Sequence, residues 1–260
     1  MKLLFLMVSV LLALSGCAHL LDEQTPAAAQ PVTQGLPDKL VLFSSGEAER
    51  LPQGWSPLLI TRAKKPTHYR LQTEQGRTVL HARAEAAASG LMQELNVEPA
   101  QLSQLDWQWK IKSLINNADN YQRATEDSPV RIVLAFDGDK DALPFADQMM
   151  FETGKLISGR DIPYATLMYI WENKAPVGTV INNSRSGRIK MVVAASGSAG
   201  VGQWRHFSRN IADDFQAAFG EQPGRLIGVG VMTDTDNTGE SVEAWYGDIR
   251  LKQEPQVASK

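Results

Sequence analysis

The chain has 260 residues, of which 43% are hydrophobic and 21% are charged, and its formal net charge at pH 7 is −3. This composition is typical of a soluble globular protein, and a chain of this length can form one large domain. The slight acidic excess and the lack of a basic run argue against nucleic acid as a partner. Cys17 is the only cysteine, which excludes disulfides, cysteine-ligated zinc and, once it is lipidated, a cysteine nucleophile.

The first residues have the pattern of an export signal. Lys2 gives a positively charged start, and Leu3–Leu14 is an apolar segment too short to span a bilayer as a mature helix. The tetrad that ends at Cys17 (LSGC) resembles a bacterial lipobox, which implies a signal peptide over residues 1–16 and lipidation of Cys17. A plain signal peptide with a coincidental cysteine is the alternative. Because Ala18 follows, rather than Asp, we expect a lipid-anchored protein on the periplasmic side of the outer membrane.

The remainder divides into a tether, one domain and a tail. Residues 17–35 are rich in Ala, Gln and Pro, which predicts a flexible tether that holds the domain off the membrane. Residues 36–254 show no internal repeat and no second composition, so we predict a single domain there. Residues 255–260 are a short tail.

Short strands are predicted through most of this domain. The segments are Thr67–Leu71, Thr78–Ala84, Gln104–Lys112, Pro129–Asp137, Ala165–Trp171 and Ile189–Ala195. In Gln104–Lys112 the alternation is clearest, with Trp107 and Trp109 on one face. Such a stripe is more often core than a carbohydrate-stacking platform. The whole pattern predicts a mainly β fold, an antiparallel β-sandwich of jelly-roll type.

One α-helix is predicted late in the chain. Over Arg209–Phe219, apolar residues recur at helical spacing, Asn210 can cap the start and Gly220 can close the end. The polar stretch Gly138–Tyr164 is predicted to be an excursion or a short helical insert. In Ala82–Leu95, composition favours a helix although the residues after Gly90 also alternate as in a strand.

Several motifs resemble the DUF3047 family of bacterial exported proteins of unknown function. They are Leu105–Lys110, Tyr169–Asn173, Pro176–Thr179, Gly202–Trp204, Arg209–Asn210, Phe219–Glu221, Met232–Thr238 and Trp245–Asp248. The resemblance covers about Leu42 to Leu251, and it implies one exported domain but no catalytic residues. It also decides Ala82–Leu95 in favour of strand. More loosely, Trp245–Leu251 is similar to the last strand of galactose-binding-like jelly rolls, which often bind glycans and hold a structural calcium ion.

The segment Arg225–Leu251 is predicted to form two strands joined by an acidic loop. The loop resembles the first half of an EF-hand, but Trp245 stands where the closing bidentate Glu would be, so an EF-hand is excluded. Two interpretations stay open. Either Asp234, Asp236 and Asp248 bind structural calcium, or the loop is a turn whose side chains bond to their own backbone.

Arg131 and Asp137 interrupt an otherwise apolar strand, so each needs a partner if it is buried. They are roughly 20 Å apart along the strand and cannot pair with each other. Asp106, Asp127 and Arg209 are candidate partners. Such a cluster either lines a ligand groove or forms structural ion pairs.

Rings and amides that a sugar could contact complete the candidate ligand-binding set. Its members are Arg131, Asp137, Trp171, Asn173, Trp204, Arg209 and Tyr246. Rings on a sandwich face more often pack than bind, so core packing is the alternative for the aromatic members.

Enzyme signatures are mostly absent. Gly197–Gly200 is not a nucleophile elbow, Gly228–Gly230 leads into no helix, and the four histidines include no pair at metal-binding spacing. The leading hypothesis is therefore a lipid-anchored sandwich that binds an envelope ligand, plausibly a glycan, without catalysis. A polysaccharide hydrolase or lyase with a carboxylate pair is the alternative. A structural or assembly partner of other envelope proteins is the third.

Overall fold

Strands make up most of the computed structural model, which describes residues 35–61, 63–159 and 161–253. Cys17, the predicted signal peptide, almost all of the tether and the C-terminal tail lie outside these residues. The strands are β1 (Ser56–Leu59), β2 (His68–Glu74), β3 (Arg77–Glu85), β4 (Ala88–Val97), β5 (Leu102–Ile111), β6 (Ser128–Phe136), β7 (Ala165–Glu172), β8 (Val180–Asn182), β9 (Ile189–Ser196), β10 (Arg205–Asn210), β11 (Leu226–Asp234), β12 (Ser241–Tyr246) and β13 (Arg250–Gln253). Two helices accompany them, α1 (Phe145–Ser158) and α2 (Ile211–Phe219), with short 3-10 turns at Phe43–Ser45 and Pro99–Gln101.

The strands form two sheets. The first sheet has the order β1-β4-β11-β6-β7-β9-β8, and the second has the order β10-β5-β12-β3-β2 with β13 paired to β5. Side chains of both sheets share one hydrophobic core, including Trp107 and Trp109 from β5 and Tyr169 from β7. The prediction of a β-sandwich is confirmed, and so is the prediction that the β5 tryptophans belong to the core.

Among the strands that the structure describes, pairing is antiparallel with one exception that the prediction missed. β8 and β9 form an antiparallel pair, but β9 rather than β8 lies next to β7. β9 runs parallel to β7, with Met168 opposite Met191. The sandwich is thus mixed rather than purely antiparallel.

The ambiguous stretch Ala82–Leu95 is strand, as the family resemblance implies. It contributes the end of β3 and most of β4, with a turn at Ala86, whose φ is 48°. The pairing of β4 with β1 and β11 overrides helix propensity, which is a weak preference. Gly90 permits this packing, because a Cβ there would lie 2.3 Å from Val231 O.

The two C-terminal arms do not pair with each other. β11 lies in the first sheet between β4 and β6, whereas β12 lies in the second sheet between β3 and β5. The acidic loop over residues 235–240 therefore crosses from one sheet to the other. It places residues of the loop at an edge of the sandwich, beside the start of β6.

The late helix α2 is confirmed together with its predicted caps. The Asn210 side chain accepts hydrogen bonds from Ala212 N and Asp213 N, and Gly220 ends the helix in a left-handed conformation with φ of 76°. Ile211 and Phe215 are buried against the core. This helix therefore packs on the core that the two sheets share.

α1 forms within the polar stretch between β6 and β7, where the sequence leaves a helical insert open, and it is a second helix besides the predicted late one. Phe151 is its buried anchor, while Phe145 and Leu156 are 76% and 85% exposed. Because few apolar side chains of α1 lie on its buried side, the sequence shows only a weak helical periodicity there. Among the described residues, no helix is long and apolar enough to cross a membrane.

Candidate functional site

Arg131 and Asp234 form a buried ion pair on the first sheet. Arg131 Nε and Nη2 donate to Asp234 Oδ1 and Oδ2 at 2.9 and 3.1 Å, and the two side chains are 2% and 6% exposed. Glu126 O and Asn120 Oδ1 accept further hydrogen bonds from Nη2. The predicted need of Arg131 for a partner is met, but by Asp234 rather than by Asp106, Asp127 or a ligand.

Both members of this pair are charged at neutral pH. Burial raises the pKa of Asp234 to about 6 against the attraction of Arg131. Burial alone would lower the pKa of Arg131, but the contact with Asp234 raises it. Since neither side chain reaches the surface, the pair has a structural role and leaves no open position for a ligand.

Asp127 anchors the acidic loop. Its carboxylate accepts hydrogen bonds from Asn237 N at 3.3 Å, Thr238 N at 2.7 Å and Thr238 Oγ1 at 2.7 Å. Asp127 itself is fully buried. The loop is thus held by a carboxylate from a segment more than 100 positions earlier, which the sequence gives no means to identify.

Asp127, Asp234 and Asp236 bring carboxylate oxygens within 4.8 Å of one another. Two of them belong to the predicted calcium set. However, Lys64 Nζ lies 2.6 Å from Asp236 Oδ2, and the Arg131 guanidinium holds Asp234. Every oxygen of the three carboxylates except Asp236 Oδ1 already receives an N–H or O–H donor, so these contacts fit an anchored loop better than a cation.

Asp248, the third predicted metal ligand, lies elsewhere. It accepts hydrogen bonds from Ser44 N and Ser44 Oγ at 2.9 and 2.7 Å and from Arg250 Nη2 at 2.8 Å. It therefore joins a groove on the second sheet instead of the acidic loop. The predicted three-residue calcium set is not brought together.

The predicted ligand-binding residues are also dispersed, and most are structural. Trp171 is 1% exposed and donates from Nε1 to Gly197 O at 2.9 Å. Tyr246 is fully buried and donates to Met232 O at 2.7 Å. These two rings pack in the core, which is the alternative that the sequence leaves open.

The remaining members lie at separate places on the molecule. Asn173 Nδ2 donates to Ile115 O and Ala118 O, and Arg209 pairs with Asp214. Asp137 pairs with Arg225 at the end of β6, far along the strand from Arg131. Of the predicted set, only Trp204 lies beside the groove described next.

The outer face of the second sheet, which points away from the core, carries a connected polar surface. Its central residues are Asp106, Gln108 and Lys110 on β5, Trp245 on β12, Arg77 and His81 on β3, and His206 and Ser208 on β10. Trp245 lies opposite both Lys110 and His81 in the strand register. Its ring stacks on His81 at 5.2 Å between centroids, and Lys110 Nζ lies 4.1 Å from its centroid.

Two contacts reach across this face. Glu74 at the end of β2 pairs with Lys110, although β3 and β12 lie between their strands. Arg77 at the start of β3 lies 5.8 Å from the centroid of the half-buried Trp204 ring. These residues therefore form one side of an open space on the same face.

That space is a groove of about 700 Å³, here called the outer groove. Its lining residues are Ser44, Arg77, Asp106, Trp107, Gln108, His206, Phe207, Ser208, Asp248, Arg250 and Lys252. Gly247 keeps room for Gln108, because a Cβ at Gly247 would lie 2.3 Å from Gln108 Cγ. The groove thus has a floor on β5 and β10 and a border of charged side chains.

Three polar atoms on the outer face are buried without a hydrogen-bond partner. They are Gln108 Oε1, Glu74 Oε2 and Trp245 Nε1. Folded proteins leave few such atoms unpaired, because each costs about 1–3 kcal/mol. Trp107 Nε1 and Trp109 Nε1 in the core and Asp236 Oδ1 in the acidic loop are unpaired in the same way.

The carboxylates of the groove are already engaged. Ser208 Oγ donates to Asp106 Oδ1, and Lys252 Nζ lies 2.7 Å from Asp106 Oδ2. Burial alone would raise the pKa of Asp106, but the hydrogen bonds from Lys252 and Ser208 bring it below its usual value. Asp106 is therefore an ionised hydrogen-bond acceptor at neutral pH.

Sequence reasoning missed most residues of this groove. The alternation in β5 did place Asp106, Gln108 and Lys110 on one face, opposite to the buried tryptophans. That signal was sufficient to identify a half-buried polar row on the outer face of the strand. It could not show that β3, β10 and the segment after β12 border the same row.

These features define a mixed β-sandwich with a polar groove on the outer face of one sheet. The chain belongs to the family described as "Protein of unknown function (DUF3047)", whose model matches residues 53–250. This confirms the resemblance found in the sequence. No curated protein matches the chain.

Several solved structures share a distant similarity. The K1 cleaved adhesin domain of Lys-gingipain from Porphyromonas gingivalis W83 has 11% identity and a TM-score of 0.39, and the match covers 84% of this chain and 99% of that one. Endoglucanase cel12A from Rhodothermus marinus has 10% identity and a TM-score of 0.44 over 80% and 96%. A non-crystalline cellulose specific carbohydrate-binding module, CBM28, has 13% identity and a TM-score of 0.34 over 77% and 87%. At these scores no ligand or activity is transferred to this chain.

Proposed function

We propose that the protein binds a saccharide in the outer groove and does not catalyse its breakdown. The carrying observation is the open groove of about 700 Å³, which presents the Asp106 carboxylate and the Arg77 guanidinium beside the Gln108 amide. A ligand that offers both donors and acceptors would pair with this mixture of groups. Sugar hydroxyls do so, since each is a donor and an acceptor.

The remaining lining supports a polar, many-hydroxyl ligand. The groove combines hydroxyl, amide, carboxylate, imidazole and guanidinium groups, whereas sites for apolar small molecules are lined mainly by hydrophobic side chains. The half-buried Trp204 ring lies at its border and offers an apolar surface to a sugar ring. The groove is open along one face of the sheet, which suits part of a polymer.

The engaged carboxylates support binding over hydrolysis. A glycosidase needs one carboxyl group with a raised pKa that donates a proton to the leaving group. The pKa of Asp106 is lowered, and Asp248 is held by Ser44 and Arg250. The carboxyl with a raised pKa near 6 is Asp234, which is buried in the ion pair away from the groove.

The test is affinity electrophoresis of the full-length chain, purified in detergent, through native gels that each contain one polysaccharide. We expect retardation by at least one polysaccharide, and a weakening of about tenfold in Gln108→Ala through loss of the amide hydrogen bonds. Gln72→Ala is the matched control, because Gln72 lies on the same sheet outside the groove. Equal retardation of both variants and the wild type would contradict the assignment of the site.

We further propose that Cys17 carries a lipid that anchors the protein to the periplasmic side of the outer membrane. The support is the lipobox-like tetrad LSGC and the Ala after it. We expect Cys17→Ser to move the protein from the membrane fraction to the soluble fraction, since the acyl chains supply the anchorage. A variant that still sediments with membranes would overturn the lipid anchor.

A further inference from the structure

We infer that the outer groove selects a saccharide with an acidic group, and that Arg77 binds this group. The inference rests on the proposed saccharide-binding function and adds the chemical class of the ligand. It follows from how the charges around the groove are paired.

Each carboxylate of the groove has its own cation. Lys252 Nζ lies 2.7 Å from Asp106 Oδ2, and Arg250 Nη2 lies 2.8 Å from Asp248 Oδ2. These four charges offset one another. A hydroxyl from Ser208 or Ser44 also donates to each carboxylate, so neither is left to repel an incoming anion at full strength.

Arg77 is the cation of the groove that remains without a carboxylate. It is exposed, and among the described residues no carboxylate lies within ion-pairing distance of its guanidinium. Its cross-strand neighbour Glu74 is engaged by Lys110 instead. The contact of Arg77 is the Trp204 ring at 5.8 Å, which restrains the side chain without neutralising it.

The groove therefore differs in charge from the chain as a whole. Its three cations, Arg77, Arg250 and Lys252, exceed its two carboxylates, Asp106 and Asp248, by one positive charge, whereas the whole chain carries −3. The net charge of the chain repels an acidic polymer, whereas the local excess at the groove attracts it. The sign of this local excess favours an acidic over a neutral saccharide.

A guanidinium matches the geometry of the ligand group. Arginine binds a carboxylate, sulfate or phosphate through two parallel N–H···O bonds, and charge-assisted hydrogen bonds are about twice as strong as neutral ones. Gln108 and His206 lie on the same face and can contact the hydroxyls of the same sugar unit. Arg77 then discriminates acidic from neutral units while the neighbouring groups bind the ring.

The experiment uses matched pairs of polymers in affinity gels with the full-length chain. The pairs are polygalacturonate and its methyl ester, carboxymethylcellulose and hydroxyethylcellulose, and dextran sulfate and dextran. We expect the acidic member of at least one pair to bind about tenfold or more tightly than its neutral partner, because its binding includes a charge-assisted hydrogen bond that the neutral member lacks. Arg77→Gln should remove that difference and keep the binding of the neutral member.

Arg83→Gln is the control for general attraction to polyanions. Arg83 lies on the same strand and the same face as Arg77 but outside the outer groove. Its replacement removes the same charge and should leave the acid preference unchanged. Equal loss in both variants would overturn the assignment to Arg77.

The outcomes separate the two proposals. Equal binding of the acidic and neutral members, with the loss in Gln108→Ala preserved, overturns the acidic class and leaves saccharide binding in place. No binding to any of the six polymers counts against saccharide binding and against the inference together. A preference for acid that Arg77→Gln abolishes supports both.

Discussion

Replacing Arg131 by methionine is expected to lower the free energy of unfolding by about 3–5 kcal/mol at pH 7, because it leaves the Asp234 carboxylate buried without its counter-charge. Asp234 is 4% exposed, and Ser128 N is its remaining donor at 3.1 Å. Urea denaturation of the wild type and the variant, compared by midpoint and slope, measures the loss. A loss below about 1 kcal/mol would contradict the structural role of the pair.

The stability that Arg131→Met loses should increase with pH. In the wild type, the pKa of Asp234 is raised to about 6, so its contribution to stability is present below the unfolded value near 4 and is lost as the pH rises through 6. Without Arg131 this pKa rises further, and the decline continues to higher pH. The difference between wild type and Arg131→Met should therefore grow from pH 6 to pH 8.

The double variant Arg131→Met/Asp234→Leu is the matched control. It replaces the ion pair by apolar side chains of similar size, a change that is often neutral or stabilising in other proteins. We expect it to recover a large part of the stability that Arg131→Met loses. If the double variant is as unstable as the single one, packing around the pair rather than its charge is the cause.

Trp107→Ala is expected to cost about 3–5 kcal/mol, the usual range when a large aromatic side chain is removed from a core. The ring is 2% exposed and contacts Tyr169 and Phe207 at 4.8 and 5.1 Å between centroids. Because Tyr169 belongs to the first sheet and Trp107 to the second, the ring joins the two layers. Thermal and urea unfolding of the variant measure the cost.

Trp204→Ala is the matched comparison for the stability cost expected of Trp107→Ala. Trp204 is half-buried at the border of the groove, so its removal should cost about 1 kcal/mol or less. Similar losses for both tryptophans would contradict the distinction between the fully buried Trp107 ring and the half-buried Trp204 ring. The two variants thus test how deeply each ring is buried, in an experiment that needs no ligand.

Local patterns in the sequence sufficed for most of the fold. Alternation placed the β5 tryptophans in the core, and Asn210 and Gly220 marked the ends of α2, since these signals act within a few residues. The order of strands in a sheet is set by contacts between distant segments. The parallel position of β9 beside β7 was therefore outside the reach of the sequence pattern.

The same limit explains the errors at the candidate site. Arg131 and Asp234 are 103 positions apart, and the register of β6 with β11 brings them together. Asp248 is near Asp236 in sequence, but the bend between β12 and β13 carries it to the outer groove. The sequence pattern thus identified the carboxylate residues, but it did not predict which residues each of them contacts in the folded protein.

The positions of β11 and β12 have a consequence for how the protein acquires its structure. Each lies inside a sheet, β11 between β4 and β6 and β12 between β3 and β5, yet both come from the last part of the chain. Neither sheet can be completed until those residues are available, and pairing between distant segments folds slowly. In a nascent chain that emerges from its N-terminus, both sheets therefore stay incomplete until residues 226–246 are free, and the strand edges need protection from aggregation until then.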